Sequence, residues 1–182
     1  VSSGSMSVQL VPTEAVTAGS SQLVTFGVPF PRGSLTVAGL ANLEILECGQ
    51  NPTIGSLDLS GLTGLKTLNV GFNDLVDIDL SGCPNLEYFR CFYNKFTTLN
   101  VSNLTHLQGF SFSHNLLLTH LFMKNGKNDW ISFIENPSLQ YICADASEIA
   151  NVQSDLDFAG LTNASVSSYC SFTPGGNYKI GR

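Results

Sequence analysis

The chain has 182 residues, 43% apolar and only 12% charged, with eight Lys and Arg against fourteen Asp and Glu for a net charge of -6. That balance excludes a counterion-releasing surface for nucleic acid and a basic face for anionic membrane. No run approaches the ~20 apolar residues that cross a bilayer, the nearest, residues 116–123, being interrupted by Thr119 and His120. The length suits one domain, or one plus a fragment, that buries roughly 70% of its unfolded surface.

Val1-Ser-Ser-Gly-Ser-Met6 lacks the basic and apolar regions of a secretory signal and reads as a junction or an already processed end. From residue 7 to 33, the runs Val8-Gln-Leu-Val11 and Gln22-Leu-Val-Thr-Phe26 flank Ala18-Gly-Ser-Ser21. This predicts a β-hairpin that caps the chain beyond residue 33, with Pro29 and Pro31 blunting an edge.

A repeat then takes over. Asn51, Asn73, Asn94, Asn115 and Asn136 recur at intervals of 22, 21, 21 and 21, and Leu43, Leu65, Leu86 and Leu107 stand eight residues before the first four. The units read LEILECGQN, LKTLNVGFN, LEYFRCFYN and LQGFSFSHN, then a degenerate NDWISFIEN from Asn128. Apolar residues at the fourth and sixth positions alternate as a strand does, and the Asn three places later suits a buried bend whose backbone groups need partners. A second extended run is predicted at Leu57-Asp-Leu59, Ile78-Asp-Leu80, Leu99-Asn-Val101 and, with a slip, Leu121-Phe-Met123. A coil of 21 residues leaves little room for a full helix on that side, so it should be extended or 3-10 in character.

These units resemble the leucine-rich repeat family, whose L-x-x-L-x-L-x-x-N signature is matched by residues 43–51, 65–73, 86–94 and 107–115. Leu57 to Gly61 and Asp79 to Gly82 resemble the L-D-L-S-G phrase of a short-repeat variant common in secreted and cell-surface bacterial proteins, especially those of the Bacteroidetes. The resemblance implies a right-handed solenoid, mostly β, with a parallel inner sheet and an extended or 3-10 convex side. It implies residence outside the cell and binding through the concave face. A partial repeat at Leu35-Thr-Val37-Ala-Gly-Leu40 sets the expected division at 1–33 for the cap or the remnant of a preceding segment, 34–144 for the repeats, and 145–182 for the C-terminal cap and the start of a linker.

After Leu139-Gln-Tyr-Ile142-Cys143, the spacing Asp145-Ala-Ser-Glu148 reads as a capping box, and Ile149, Val152 and Leu156 form one helical stripe. A helix over 146–157 would lay that stripe on the last coil. Residues 168–176 resemble the junction that follows such bacterial arrays, and an end at Arg182 points to a portion excised from a longer polypeptide.

The five cysteines number one too many to pair completely. Cys48 and Cys91 share the inward sixth position two rungs apart, ~9.6 Å at ~4.8 Å per rung, beyond the ~7 Å Cα limit for a bridge. Cys83 stands where Leu62 and Leu104 do, which reads as core. Cys143 and Cys170 bracket the predicted helix and are the favoured disulfide, worth about 3.6 kcal/mol in the chain-entropy model. His106, His114 and His120 occupy unlike repeat positions, so no catalytic triad is expected; no C-x-x-C or Cys/His ligand spacing points to zinc, no cofactor is expected, and the five Asn are read as a structural ladder.

With positions one, four and six inward, positions three, five and seven face out and position eight lies on the rim. There Phe72, Tyr88, Phe92, Tyr93, His114 and Trp130 place aromatic area where a solvated sheet would carry Thr, Lys or Glu, with Arg90 beside them. Exposed aromatics around an Arg characterise binding hot spots. The expected function is that of a non-catalytic binding module, monomeric, holding a protein ligand on this face. The alternatives are a glycan-recognising accessory module and a passive spacer within an adhesin.

Overall fold

A turn carrying two short extended runs cannot satisfy its own backbone; the N–H and C=O groups of each run must find the next turn. In the computed structural model, which describes residues 8–9, 22–25, 33–52, 54–127 and 135–170, they do so by parallel stacking throughout. The strands in chain order are β1 (Val8–Gln9), β2 (Gln22–Thr25), β3 (Gly33–Thr36), β4 (Leu43–Glu47), β5 (Ile54–Asp58), β6 (Thr67–Asn69), β7 (Tyr88–Arg90), β8 (Thr98–Asn100), β9 (Gly109–Ser111), β10 (His120–Phe122) and β11 (Tyr141–Cys143). Helix α1 (Ile149–Phe158) and β12 (Ser165–Ser167) come last. The result is a mostly β, parallel-strand solenoid of about six turns with one C-terminal helix.

One side of the solenoid is a five-stranded sheet in the order β2-β4-β6-β7-β9. Its register puts Ile45, Thr67, Tyr88 and Gly109 in one row and Glu47, Asn69, Arg90 and Ser111 in another. The pairing runs past the strand ends: Lys66 N–H donates to Glu44 at 2.9 Å before the strand, and Phe72 N–H donates to Phe92 at 3.0 Å after it. The other side carries a three-stranded sheet, β1-β3-β5, and a four-stranded one, β12-β11-β10-β8. Between the two, Ile78-Asp-Leu80 forms no strand, contrary to the extended run expected there. Leu80 nonetheless stays buried, and corner bonds from Asp74 N–H to Ile54 and Lys95 N–H to Leu75 carry the stacking past it.

The core keeps the period of the repeat. Positions one, four and six bury Leu43, Leu46 and Cys48, then Leu65, Leu68 and Val70, Leu86, Phe89 and Cys91, and Leu107, Phe110 and Phe112. Two successive three-residue-step turns return each coil to the five-stranded sheet, as where Leu62 N–H donates to Leu59 and Leu65 N–H to Leu62, with Leu62, Cys83 and Leu104 buried at the pivot.

The N-terminal hairpin is corrected by the strand order. β1 and β2 do not pair with each other: β1 extends the three-stranded sheet beside β3, and β2 extends the five-stranded sheet beside β4, both in parallel. The stack offers an unpaired backbone edge on each side, and a run with strand alternation satisfies it without needing a tight turn. The flanking segments 10–21 and 26–32 lie outside the described residues.

At the other end α1 occupies the place in the chain where an inner strand would lie between β11 and β12, and it buries Val152 and Leu156. It begins at Ile149, three residues later than the capping-box spacing predicts. The Asp145 carboxylate accepts from the Gly126 N–H at 2.7 Å, so it ties the preceding coil instead of capping the helix. Glu148, which is buried, supplies the reverse half of the box by accepting from the Asp145 N–H at 3.1 Å.

Candidate binding face

The rim is set by the asparagines, all five of them buried. Asn73 Nδ2 donates to Val70 O of its own turn at 2.9 Å and to Cys48 O of the preceding turn at 3.0 Å, while its Oδ1 accepts from Asn51 N–H at 3.0 Å. Asn94 and Asn115 repeat the two donations, to Cys91 and Val70 and to Phe112 and Cys91 respectively. Asn94 Oδ1 takes the Leu75 N–H at 3.1 Å, and Asn136 Oδ1 takes that of Asn115 at 3.0 Å. The amides of Asn73, Asn94 and Asn115 therefore each fix their own bend to the one before it, whereas Asn51 donates only within its own turn.

This ladder forces an unusual backbone at the residue just ahead of each Asn. Gln50, Phe72, Tyr93, His114 and Glu135 all have positive φ, between 53° and 62°. A non-glycine residue in that region costs on the order of 1 kcal/mol, and large side chains do not choose it. It is held because the N–H of Gln50, Phe72 and Tyr93 each reach a carbonyl one turn on, at 2.8, 3.0 and 3.0 Å. Five identical corners place five side chains in one column along the solenoid.

In that column the rings of Phe72 and Tyr93 stack at 4.5 Å between centroids and 10° between planes, and those of Tyr93 and His114 at 3.9 Å and 23°. Phe92 meets both Phe72 and Tyr93 edge-on. The column ends at Glu135, whose carboxylate meets His114 Nε2. Stacking is what rim aromatics do when they stiffen a coil, yet Phe72 and Tyr93 remain 44% and 43% exposed. Both faces of the Tyr93 ring are spent on its neighbours, so the solvent sees its edge. Before the first ring, a shallow depression of 340 Å³ lies between Gln50, Pro52 and Phe72.

On the flat of the sheet, two rings rest over glycines of the neighbouring turns. A Cβ added at Gly109 would stand 2.9 Å from the Tyr88 ring, and one at Gly71 would stand 2.8 Å from the Phe92 ring. Gly71 is consequently buried, although its repeat position points outward. Tyr88 leans toward the C-terminal neighbour and Phe92 toward the N-terminal one, leaving Arg90 open between them. The Tyr88 hydroxyl donates to Gln108 Oε1 at 3.1 Å, and Gln108 Nε2 donates to Glu87 at 3.1 Å, which fixes the Tyr88 ring. Tyr88 is 42% exposed and Arg90 is exposed, while Phe92 and His114 are half-buried. Trp130, the last residue of the expected face, lies outside the described residues.

No protein-family model matches the chain, and no curated protein matches it either. Its chemistry is thus read from its own residues. Cys48, Cys83 and Cys91 are buried free thiols, and burial pushes Cys48 and Cys83 up to about 12 and Cys91 well above its ordinary value, so none is a ready nucleophile. Cys143 and Cys170 are joined in a disulfide with Cα atoms 5.4 Å apart. Among the described residues no three of His, Cys, Asp and Glu are grouped to hold a metal, and no helix is long and apolar enough to cross a membrane. The three histidines stay apart: His106 contacts Thr105, His114 stacks in the rim, and His120 sits beside Thr119 with its pKa lowered by burial.

The sequence points to the aromatic residues but not to their mutual use. The left-handed corner, the glycine seats and the Gln108–Glu87 support have no signature in a single unit. The Gly71–Phe92 and Gly109–Tyr88 pairs emerge only when successive units are aligned and a glycine is seen to sit one rung from a ring.

Proposed function

We propose that this chain is a leucine-rich-repeat binding module of a secreted or cell-surface bacterial protein, without catalytic activity, which holds a protein partner on the outward face of its five-stranded sheet. The observation that carries the reading is the pair Tyr88 and Tyr93, each more than two-fifths exposed and each held rigid by its neighbours. Rigid aromatic area costs little side-chain entropy to bury, which is why interfaces concentrate their affinity in such residues. The buried, protonated thiols and the separated histidines favour binding over chemistry.

The test immobilises the full chain beside a Tyr88→Ala/Tyr93→Ala variant that has the same circular dichroism. Partners from the native source retained by the first and lost by the second support the reading. Identical retention on both would show that the face plays no part. A carbohydrate-binding reading draws on one observation, the Tyr88 ring resting against Gly109 while 42% exposed, since exposed tyrosine rings also serve to stack sugars. A glycan array decides it: capture of a saccharide that the Tyr88→Ala variant loses would favour that reading over the first.

A further inference from the structure

The charges of the face are almost all accounted for by neighbours. Glu44 pairs with Lys66 at 3.4 Å, Asp74 with Lys95 at 3.0 Å, Glu87 accepts from Gln108, and Glu135 meets His114. Arg90, the one cation in the outward rows of the five-stranded sheet among the described residues, has no carboxylate partner there. Its neighbours in register are Asn69 and Ser111, both uncharged, and its flanks on the same strand face are the Tyr88 and Phe92 rings. A guanidinium carries five N–H donors in a planar fork that matches a carboxylate, and partly apolar walls strengthen that match. The rim beside it points the same way. Tyr93, stacked between Phe72 and His114, turns its edge outward, and the edge of an aromatic ring is its electropositive part.

We propose that the partner docks as an extended acidic segment, with one Asp or Glu carboxylate seated on Arg90 between Tyr88 and Phe92 and a nearby apolar side chain against the Phe72–Tyr93 edges. This rests on the reading of the face as a protein-binding surface. Tyr93 stands three positions past Arg90, at the corner beyond the end of β7, so the two lie at most about 10 Å apart at ~3.3 Å per residue, and an extended ligand would set its apolar anchor within about three residues of its acid. Glu47 lies two rungs from Arg90 in the same row, roughly 9.6 Å away at ~4.8 Å per rung, and repels a second carboxylate there. The acid should therefore be single, with the rest of the segment over the turns of β6, β7 and β9. In a chain of net charge -6 such recognition is short-ranged, and added salt should weaken it without abolishing it.

The experiment selects ligands for the full chain from a display library of short random peptides. It then measures synthetic versions of the winners on the wild type and on Arg90→Gln, Arg90→Lys and Tyr93→Ala, with a galacturonate oligomer as a parallel probe. Expected are peptides enriched in one acid spaced from an apolar residue, losing roughly tenfold or more in affinity on Arg90→Gln, with partial recovery in Arg90→Lys. Winners without acidic enrichment that ignore Arg90→Gln but are lost with Tyr93→Ala overturn this inference and leave the binding face standing. Winners indifferent to every variant overturn both. Arg90-dependent binding of the galacturonate oligomer, with no peptide winner, overturns the choice of a peptide. Circular dichroism of each variant guards against loss of folding.

Discussion

Replacing Asn94 by Ala removes a side chain that bonds three backbone groups closely and a fourth, Phe92 O, at 3.4 Å, and the structure says what each main loss costs. The Leu75 N–H has Asn94 Oδ1 as its acceptor, so it is left buried and unpaired, at about 1–3 kcal/mol. Val70 O and Cys91 O each lose one of two donors but keep another, from Asn73 and Asn115 respectively, so together they forfeit only about 1–2 kcal/mol. The sum is about 3 kcal/mol. The same change at Asn51 provides the control. Its Nδ2 bonds Cys48 O, which Asn73 also serves, and Gly49 O, while its Oδ1 has no hydrogen-bond partner. Asn51→Ala therefore removes an unsatisfied acceptor along with two donations and should cost about 1 kcal/mol. Urea unfolding of both variants, followed by circular dichroism and by the fluorescence of Trp130, gives the two free energies and shows whether the transitions coincide. Equal losses at Asn51 and Asn94 would refute the claim that the bond reaching into the neighbouring turn carries the difference.

Gln50, exposed and at φ 62°, should accept Gly with a small gain or no loss, whereas Gln50→Val should cost more than about 1 kcal/mol, because a β-branched residue is excluded from that conformation; thermal melts decide it. Cys170→Ser opens a loop with a sequence separation of 27 and should cost up to about 3.6 kcal/mol, with hydrogen exchange quickening in α1 and β12 before it does in β7. The thiols of Cys48, Cys83 and Cys91 should be silent to a disulfide-exchange reagent in the native chain and should react as three once it is unfolded. Asp58 and Asp79 are held below their ordinary value of 3.8, first by the backbone N–H groups of Ser60 and Ser81. Their contribution to stability is complete above that value and is lost as pH falls through the lower folded values, a loss that Asp58→Asn/Asp79→Asn should abolish in melts below about pH 4.

What a single sequence reveals here depends on whether the cause repeats. Leu43, Leu65, Leu86 and Leu107 are buried because each turn meets the same need, and a period exposes them. The same holds for Asn51 through Asn136, whose even spacing already suggests a column of amides. The conformation at position eight does not announce itself, because Gln, Phe, Tyr, His and Glu share no preference for positive φ; at Gln50, Phe72 and Tyr93 it is held by the bond from the N–H into the next turn. β1 and β2 read as a hairpin because local alternation cannot say whether a strand's partner is its sequence neighbour or a rung farther on. The late start of α1 likewise turns on Gly126, nineteen residues before Asp145, which no local capping rule consults. The aromatic site is visible as composition and invisible as geometry.

The asparagine links have a consequence for how such a molecule can grow. Asn73, Asn94 and Asn115 each clasp their own bend and the one behind it, so a whole unit can be duplicated and the copy finds the same clasp waiting. The groups that close a turn occupy different positions from those that meet the outside, so a duplicate is free to diverge in what it displays while its interior stays fixed. Lengthening by complete units would extend the ring ridge in equal increments, a graduated rule on which the reach of a partner could be set by counting turns.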